Sequence, residues 1–168
     1  MEFLSGNFLC ETIVPKGELI VSRTDLKGII TYANDTFAEI SGYEVDELIG
    51  KAHNIVRHPD MPKSIFEQLW NDIQTKGSWS GVVKNIRKDQ GFYWVYAEIS
   101  GVFKNDVLVE YKSIRTPISF QDKVKHQLLY DKIKKDSNEP TRKVTYNLIK
   151  LNFNLIKIIL LKFYINYK

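Results

Sequence analysis

Apolar positions along the chain form short alternating runs, then a helical period, then alternation again. Leu19-Ile-Val-Ser-Arg-Thr-Asp25 reads as a strand, Leu26-Lys27-Gly28 as a turn and Ile29-Ile-Thr-Tyr-Ala33 as a second strand, together a hairpin. Asn34-Asp35 then starts a helix, with Phe37 and Ile40 on one face and Gly42 at its end; a short helix over Glu44–Ile49 stops at Gly50. In Pro62–Thr75 the residues Ile65, Phe66, Leu69, Trp70 and Ile73 recur every three or four positions, which predicts a helix with one buried face. Strands follow at Trp79–Arg87, Phe92–Phe103 and Leu108–Pro117, joined by polar turns of hairpin length. Ser119–Lys135 reads as a further amphipathic helix.

Strands joined by tight turns are antiparallel neighbours, and the helical segment must cross from the first hairpin to the later strands. An α+β fold is therefore expected: a five-stranded antiparallel sheet with helices packed on one face. Period-two alternation puts Trp79, Gly81, Val83 and Asn85 on one side of their strand. An unpartnered amide in a core costs about 1–3 kcal/mol, so Asn85 needs a neighbouring side chain or a ligand edge. Gly81 leaves room beside it for a flat group.

Composition adds boundaries. The 168 residues suit one domain with extensions: a flexible leader over 1–17, the domain over 18–118, a helix or linker over 119–136 and a tail over 137–168. The single cysteine, Cys10, excludes an internal disulfide framework. Residues 1–20 lack the basic start and apolar core of a signal peptide, so the cytoplasm is the default location. Net charge is −3 over residues 1–118 and +7 over 119–168. The basic tail favours an acidic partner or the surface of the inner membrane; no nucleic-acid motif accompanies it. Over 144–168 the tail is dominated by Asn, Ile, Leu, Lys, Phe and Tyr, with lysines too frequent for a spanning helix. It reads as an interfacial helix, as a partner-docking segment or as an out-of-frame end, since those residues share AT-rich codons.

The densest chemistry lies in His53-Asn-Ile-Val-Arg57-His58-Pro59-Asp60-Met61-Pro62. Prolines restrict the backbone there, so Arg57, His58 and Asp60 are presented in fixed geometry, either to an anionic ligand or simply to cap the next helix.

Those residues carry a resemblance. Ala33-Asn-Asp-Thr-Phe37, Ile40-Ser-Gly-Tyr43, Val56-Arg-His-Pro-Asp-Met-Pro62, Trp79-Ser-Gly81, Val83-Lys-Asn85, Tyr93-Trp-Val95 and Ser113-Ile-Arg-Thr116 resemble the PAS sensor domain of bacterial aerotaxis (energy-taxis) receptors. The resemblance spans roughly residues 19–135. It implies a PAS fold that binds FAD non-covalently, senses redox state and signals to a membrane chemoreceptor or its cytoplasmic relay domain, without enzymatic activity. A homodimer is a further partner to be considered. Cofactor contacts carried over from the resemblance are Asn34, Arg57, His58, Asp60, Trp70, Trp79, Asn85 and Tyr93. Gly28 departs from the pattern, because a polar residue is expected there in some relatives. The expected switch is rotation of the Asn85 amide as the flavin edge changes from acceptor to donor, with output through an outer sheet face bearing Lys84, Glu98 and Lys112. Rival readings are a haem gas sensor ligated by His53 or His58 and a flavin-dependent enzyme. A photoreceptor that bonds flavin through cysteine is disfavoured, since Ala52–Val56 contains none.

Overall fold

A computed structural model describes residues 10–140. The tail readings for 144–168 and the first nine residues of the leader lie outside the described residues. The strands are β1 (Ile20–Thr24), β2 (Ile30–Ala33), β3 (Ser78–Ile86), β4 (Phe92–Lys104) and β5 (Val107–Thr116). They form one antiparallel sheet in the order β2-β1-β5-β4-β3. Between β2 and β3 come α1 (Asp35–Ser41), α2 (Val45–Leu48), a 3-10 turn (His53–Val56) and α3 (Lys63–Lys76); α4 (Phe120–Asp136) follows β5. Each element expected from the periodicity is present, with ends differing by a residue or two.

The crossover elements cover the inner sheet face. Ile20, Ile30, Phe37, Leu48, Val56 and Val95 are fully buried there. α4 lies on the other face and around the outer edge of β3. The Tyr130 ring stacks on Trp94 at 6.3 Å, and its hydroxyl donates to the Val82 carbonyl. This explains a departure from simple alternation: Val82, Val83, Lys84 and Asn85 are all buried, because β3 is covered on both sides. Lys84, expected on an open output face, instead pairs with Asp60 at 2.9 Å, donates to Gln127 Oε1 at 3.2 Å and lies over the Phe92 ring. Glu98 remains exposed and Lys112 half-buried.

Residues 10–14 lie beside the start of β4. Thr12 N–H donates to the Phe92 carbonyl at 2.8 Å, Phe92 N–H returns the bond to Cys10 at 3.0 Å, and Val14 is buried. Glu11 pairs with Lys123 of α4 at 2.6 Å. Among the described residues no helix is long and apolar enough to cross a membrane.

The flat group beside Gly81 proves to be the protein's own. A Cβ at Gly81 would stand 2.6 Å from Trp79 Cζ2, and Trp79 is only 7% exposed, so the substitution must displace a packed indole. Gly81→Ala is predicted to destabilise the fold by about 1–3 kcal/mol through overpacking, read as a lower urea midpoint at unchanged slope. An unchanged midpoint would show that Trp79 relocates freely.

Candidate functional site

α3, the 3-10 turn and the inner sheet face enclose a cavity of about 250 Å³. α3 faces it because Leu69 and Ile73 are buried one turn apart, carrying Phe66 and Trp70 to the same side. The sheet contributes alternate positions: Val83 and Asn85 of β3, Ala97 and Ile99 of β4, and Tyr111, Ser113 and Arg115 of β5. Ser22 and Thr24 of β1 complete the floor. The walls are mainly apolar. Lys27, Arg57 and Arg115 line the cavity, and among the described residues no carboxylate does.

Arg115 defines the inner end. It is 3% exposed, and its guanidinium donates to Ser22 Oγ at 3.1 and 3.2 Å and meets His53 Nε2 at 2.7 Å. Among the described residues no carboxylate pairs with it. Burial pulls its pKa down to about 10, which leaves it charged at neutral pH. Burial and then Arg115 drive the His53 imidazole down to about 3, so the ring stays neutral and its Nε2 accepts from the guanidinium. Ser113 Oγ, on the same floor, is buried without a hydrogen-bond partner. Tyr93, directly across the ladder from Asn85, is fully buried; burial pushes its phenol up to about 12, opposed by Arg115 and by the neighbouring Asn85 amide.

At the mouth, Arg57 lies with its guanidinium 3.8 Å above the Phe66 ring, and the group donates no hydrogen bond to protein among the described residues. Partial burial lowers its pKa, opposed by Glu139 and Glu67. Trp70, expected on the buried face of α3, is 38% exposed: it packs edge-on to Tyr111 at 6.1 Å and closes over Gly28. Gly28 has φ +82°, and a Cβ there would stand 3.3 Å from Trp70 Cη2. The polar side chain expected at this turn would be strained by the left-handed backbone and would crowd the Trp70 indole.

Of the eight residues expected to touch a cofactor, Arg57, Trp70 and Asn85 line the cavity. The other five lie elsewhere, each for a visible reason. Asn34 caps α1: its Oδ1 accepts from Phe37 N–H at 3.1 Å and Val21 N–H at 2.9 Å, while its Nδ2 donates to the Leu19 carbonyl. His58 is buried in the loop before α3, with Nδ1 accepting from Asp60 N–H at 3.0 Å. Burial alone would raise the Asp60 carboxyl, but Lys84, with help from His58 and Lys134, holds it below the usual range. Trp79 covers Gly81, and Tyr93 is fully buried on the inward face of β4 beside Asn85, just outside the cavity lining.

Sequence reasoning missed Ser22, His53, Ser113 and Arg115 as a group. The available signal was alternation: Tyr111, Ser113 and Arg115 share one face of β5 and pair across to Thr24, Ser22 and Ile20. A serine and an arginine on an inward face mark a polar floor.

Three comparisons bear on this arrangement. A family model described as the PAS fold matches residues 30–115. The aerotaxis receptor of Escherichia coli K12 is 47% identical over 97 residues, which are 58% of this chain and 19% of the receptor. The nitrogen fixation regulatory protein of Klebsiella pneumoniae is 29% identical over 91 residues, 54% of this chain and 18% of that protein. The chain thus matches less than a fifth of the length of either. Among solved structures, the PAS domain of a Colwellia psychrerythraea protein superposes with a TM-score of 0.55 at 23% identity, covering 60% of this chain and 86% of that one. The dark structure of the blue-light photoreceptor Aureochrome1 LOV gives 0.58 at 23% identity, covering 68% and 86%. Both likenesses concern the fold.

The His53 environment yields a pH prediction. A folded-state pKa near 3 against an unfolded value of about 6.5 means that the unfolded chain binds a proton the native state refuses. Stability contributed by neutral His53 is complete above pH 6.5 and declines as pH falls toward 3, by at most about 1.4 kcal/mol per pH unit. NMR titration should find the His53 ring neutral at pH 5; a midpoint near 6.5 would contradict its burial against Arg115.

Proposed function

The chain belongs to the PAS-fold family, and on that premise we propose that it is an FAD-binding redox sensor that reports respiratory state to a chemoreceptor. The observation that carries this reading is a mainly apolar slot lined, among the described residues, by three cationic side chains and no carboxylate, whose innermost cation is buried without a counter-ion among those residues. Such a lining favours a flat, anionic or electron-accepting group.

The residues present fit a flavin. Ser113 Oγ lacks a partner and Asn85 offers both a donor and an acceptor, which suits the mixed polar edge of an isoalloxazine. Val83, Leu69, Ile73 and Ile99 supply flat apolar walls. The cavity, at about 250 Å³, lies below the roughly 300–1,000 Å³ of whole-ligand sites, so it suits the ring while the diphosphate would be held at the mouth. There Arg57 presents a free planar fork of donors and Lys27 a second charge. The proposed cofactor contacts are therefore Arg57, Trp70, Asn85, Ser113, His53 and Arg115. FAD, when bound, supplies reversible uptake of electrons. Arg115 favours added negative charge at the inner end, and the Asn85 amide can reverse its donor and acceptor ends in response. His53, held neutral with Nε2 committed to Arg115 and Ser22, keeps that guanidinium aimed.

The same features support sensing over catalysis. His53, with its pKa near 3, is poorly suited to act as a general base, and among the described residues no carboxylate lines the cavity. A haem reading gains nothing from His53, whose Nε2 is already engaged. Similarity to the aerotaxis receptor supports a chemoreceptor or its cytoplasmic relay domain as partner; a homodimeric domain on the cytoplasmic side, at the inner membrane, is part of the same proposal.

Arg57→Gln should weaken FAD binding about tenfold or more while leaving riboflavin, which has no phosphate, unaffected. Fluorescence titration of both flavins reads the two affinities. Equal losses for the two would remove Arg57 from the phosphate role, and failure of either flavin to bind wild-type protein would overturn the proposal.

A further inference from the structure

α3 begins without a local cap. Pro62 occupies the N-cap position, offers no side-chain acceptor, and no acidic residue follows in the first turn. Free N–H groups and the positive end of the helix dipole are left to be satisfied from elsewhere. Glu139, just beyond α4, does this from 76 residues away: both its carboxylate oxygens lie 3.2 Å from Lys63 N. The carboxylate is held in place by Glu139 N–H donating to the Lys134 carbonyl at 2.9 Å and by Ser137 Oγ at 3.3 Å from Oε1. Lys134 in turn donates to the Pro59 carbonyl at 2.9 Å, tying α4 to the loop that carries Arg57.

This contact borders the cavity mouth. A second cavity of about 310 Å³ is lined by Arg57, His58, Lys63, Lys134 and Glu139, among others, and shares Asn54 and Arg57 with the first. Arg57 therefore stands between the two, with one face on Phe66 and its donors free. Among the described residues Glu139 is the only carboxylate lining the second cavity, and it acts electrostatically on Arg57.

We propose that Glu139 is a built-in competitor for the phosphate groups of the dinucleotide, so that cofactor arrival at Arg57 displaces it and frees the end of α4. The inference rests on the reading of the first cavity as an FAD site. A diphosphate carries more charge and more acceptor atoms than one carboxylate, so it prevails at a position flanked by Arg57, Lys63 and Lys134. Cofactor loading then loosens the link between α3 and the segment after α4, converting occupancy of the cavity into a change at the outside of the sheet.

Glu139→Gln separates charge from capping, because the amide oxygen it introduces still accepts from Lys63 N–H. The full chain, freed of bound flavin, is titrated with FAD and with riboflavin as wild type and as Glu139→Gln. Hydrogen exchange of the Ser137, Asn138 and Glu139 amides is followed in each state. The expected result is FAD binding about two- to fivefold tighter in the variant with riboflavin affinity unchanged. In the wild type, exchange at those amides rises with FAD and not with riboflavin. Both flavins binding wild type with no phosphate-dependent effect of the variant, or FAD leaving those amides as protected as before, overturns the competition and spares the cofactor reading. Failure of both flavins to bind wild type overturns the two together.

Discussion

A guanidinium buried to 3% exposure, with no carboxylate partner among the described residues, is the constraint on which the site depends. Removing an unpaired charge from water is costly, and the usual remedies are a counter-ion or loss of the charge. Arg115 has neither. A pKa near 10 keeps its proton at neutral pH, and its donors go to a serine hydroxyl and a neutral imidazole. Those partners satisfy hydrogen bonds and the Phe37 ring, 5.1 Å from the guanidinium carbon, offers a cation–π face, but none of them carries a formal negative charge. The cavity in front of it is therefore electrostatically incomplete, and negative charge introduced there is stabilised by a cation already in place, with little reorganisation.

The surroundings hold that cation where it is. β5 lies third in the sheet, bonded to β1 and β4, so Arg115 cannot move without disturbing two strand pairings. β3, at the sheet edge, is braced differently: Lys84 N–H points to Met61 Sδ at 3.3 Å, its side chain reaches Asp60, and Tyr130 takes the Val82 carbonyl. The segment from Arg57 to Pro62 thus covers the exposed edge of β3, supplies one residue to the cavity mouth, and is gripped from outside by α4. In this way one loop links the cavity to the far side of the sheet, and its concentration of charge and proline follows from having three surfaces to satisfy.

Most of the architecture was legible because it depends on periodicity. The buried positions of α3 and the tight turns of β3 to β5 fix an antiparallel sheet with a helical crossover. Two kinds of information were not legible. Which polar residues meet each other depends on tertiary register: Ser22, His53 and Arg115 are separated by 31 and 62 positions and come together only when β1 pairs with β5. Alternation also describes one side of a strand at a time. It placed Lys84 on an open face because α4, which covers that face, comes 36 residues later in the chain. Family likeness drew attention to the loop before α3, where the structure gives His58 and Asp60, like Asn34 at the cap of α1, backbone and ion-pair contacts that a motif does not distinguish from ligand contact.

The absorption spectrum of the purified full chain, recorded alone and after addition of FAD, tests the account most directly. It predicts the two visible bands of a flavin, sharpened by enclosure in an apolar slot and released unmodified when the protein is denatured. A Soret band would contradict it, as would a colourless protein that leaves the spectrum of added FAD unchanged.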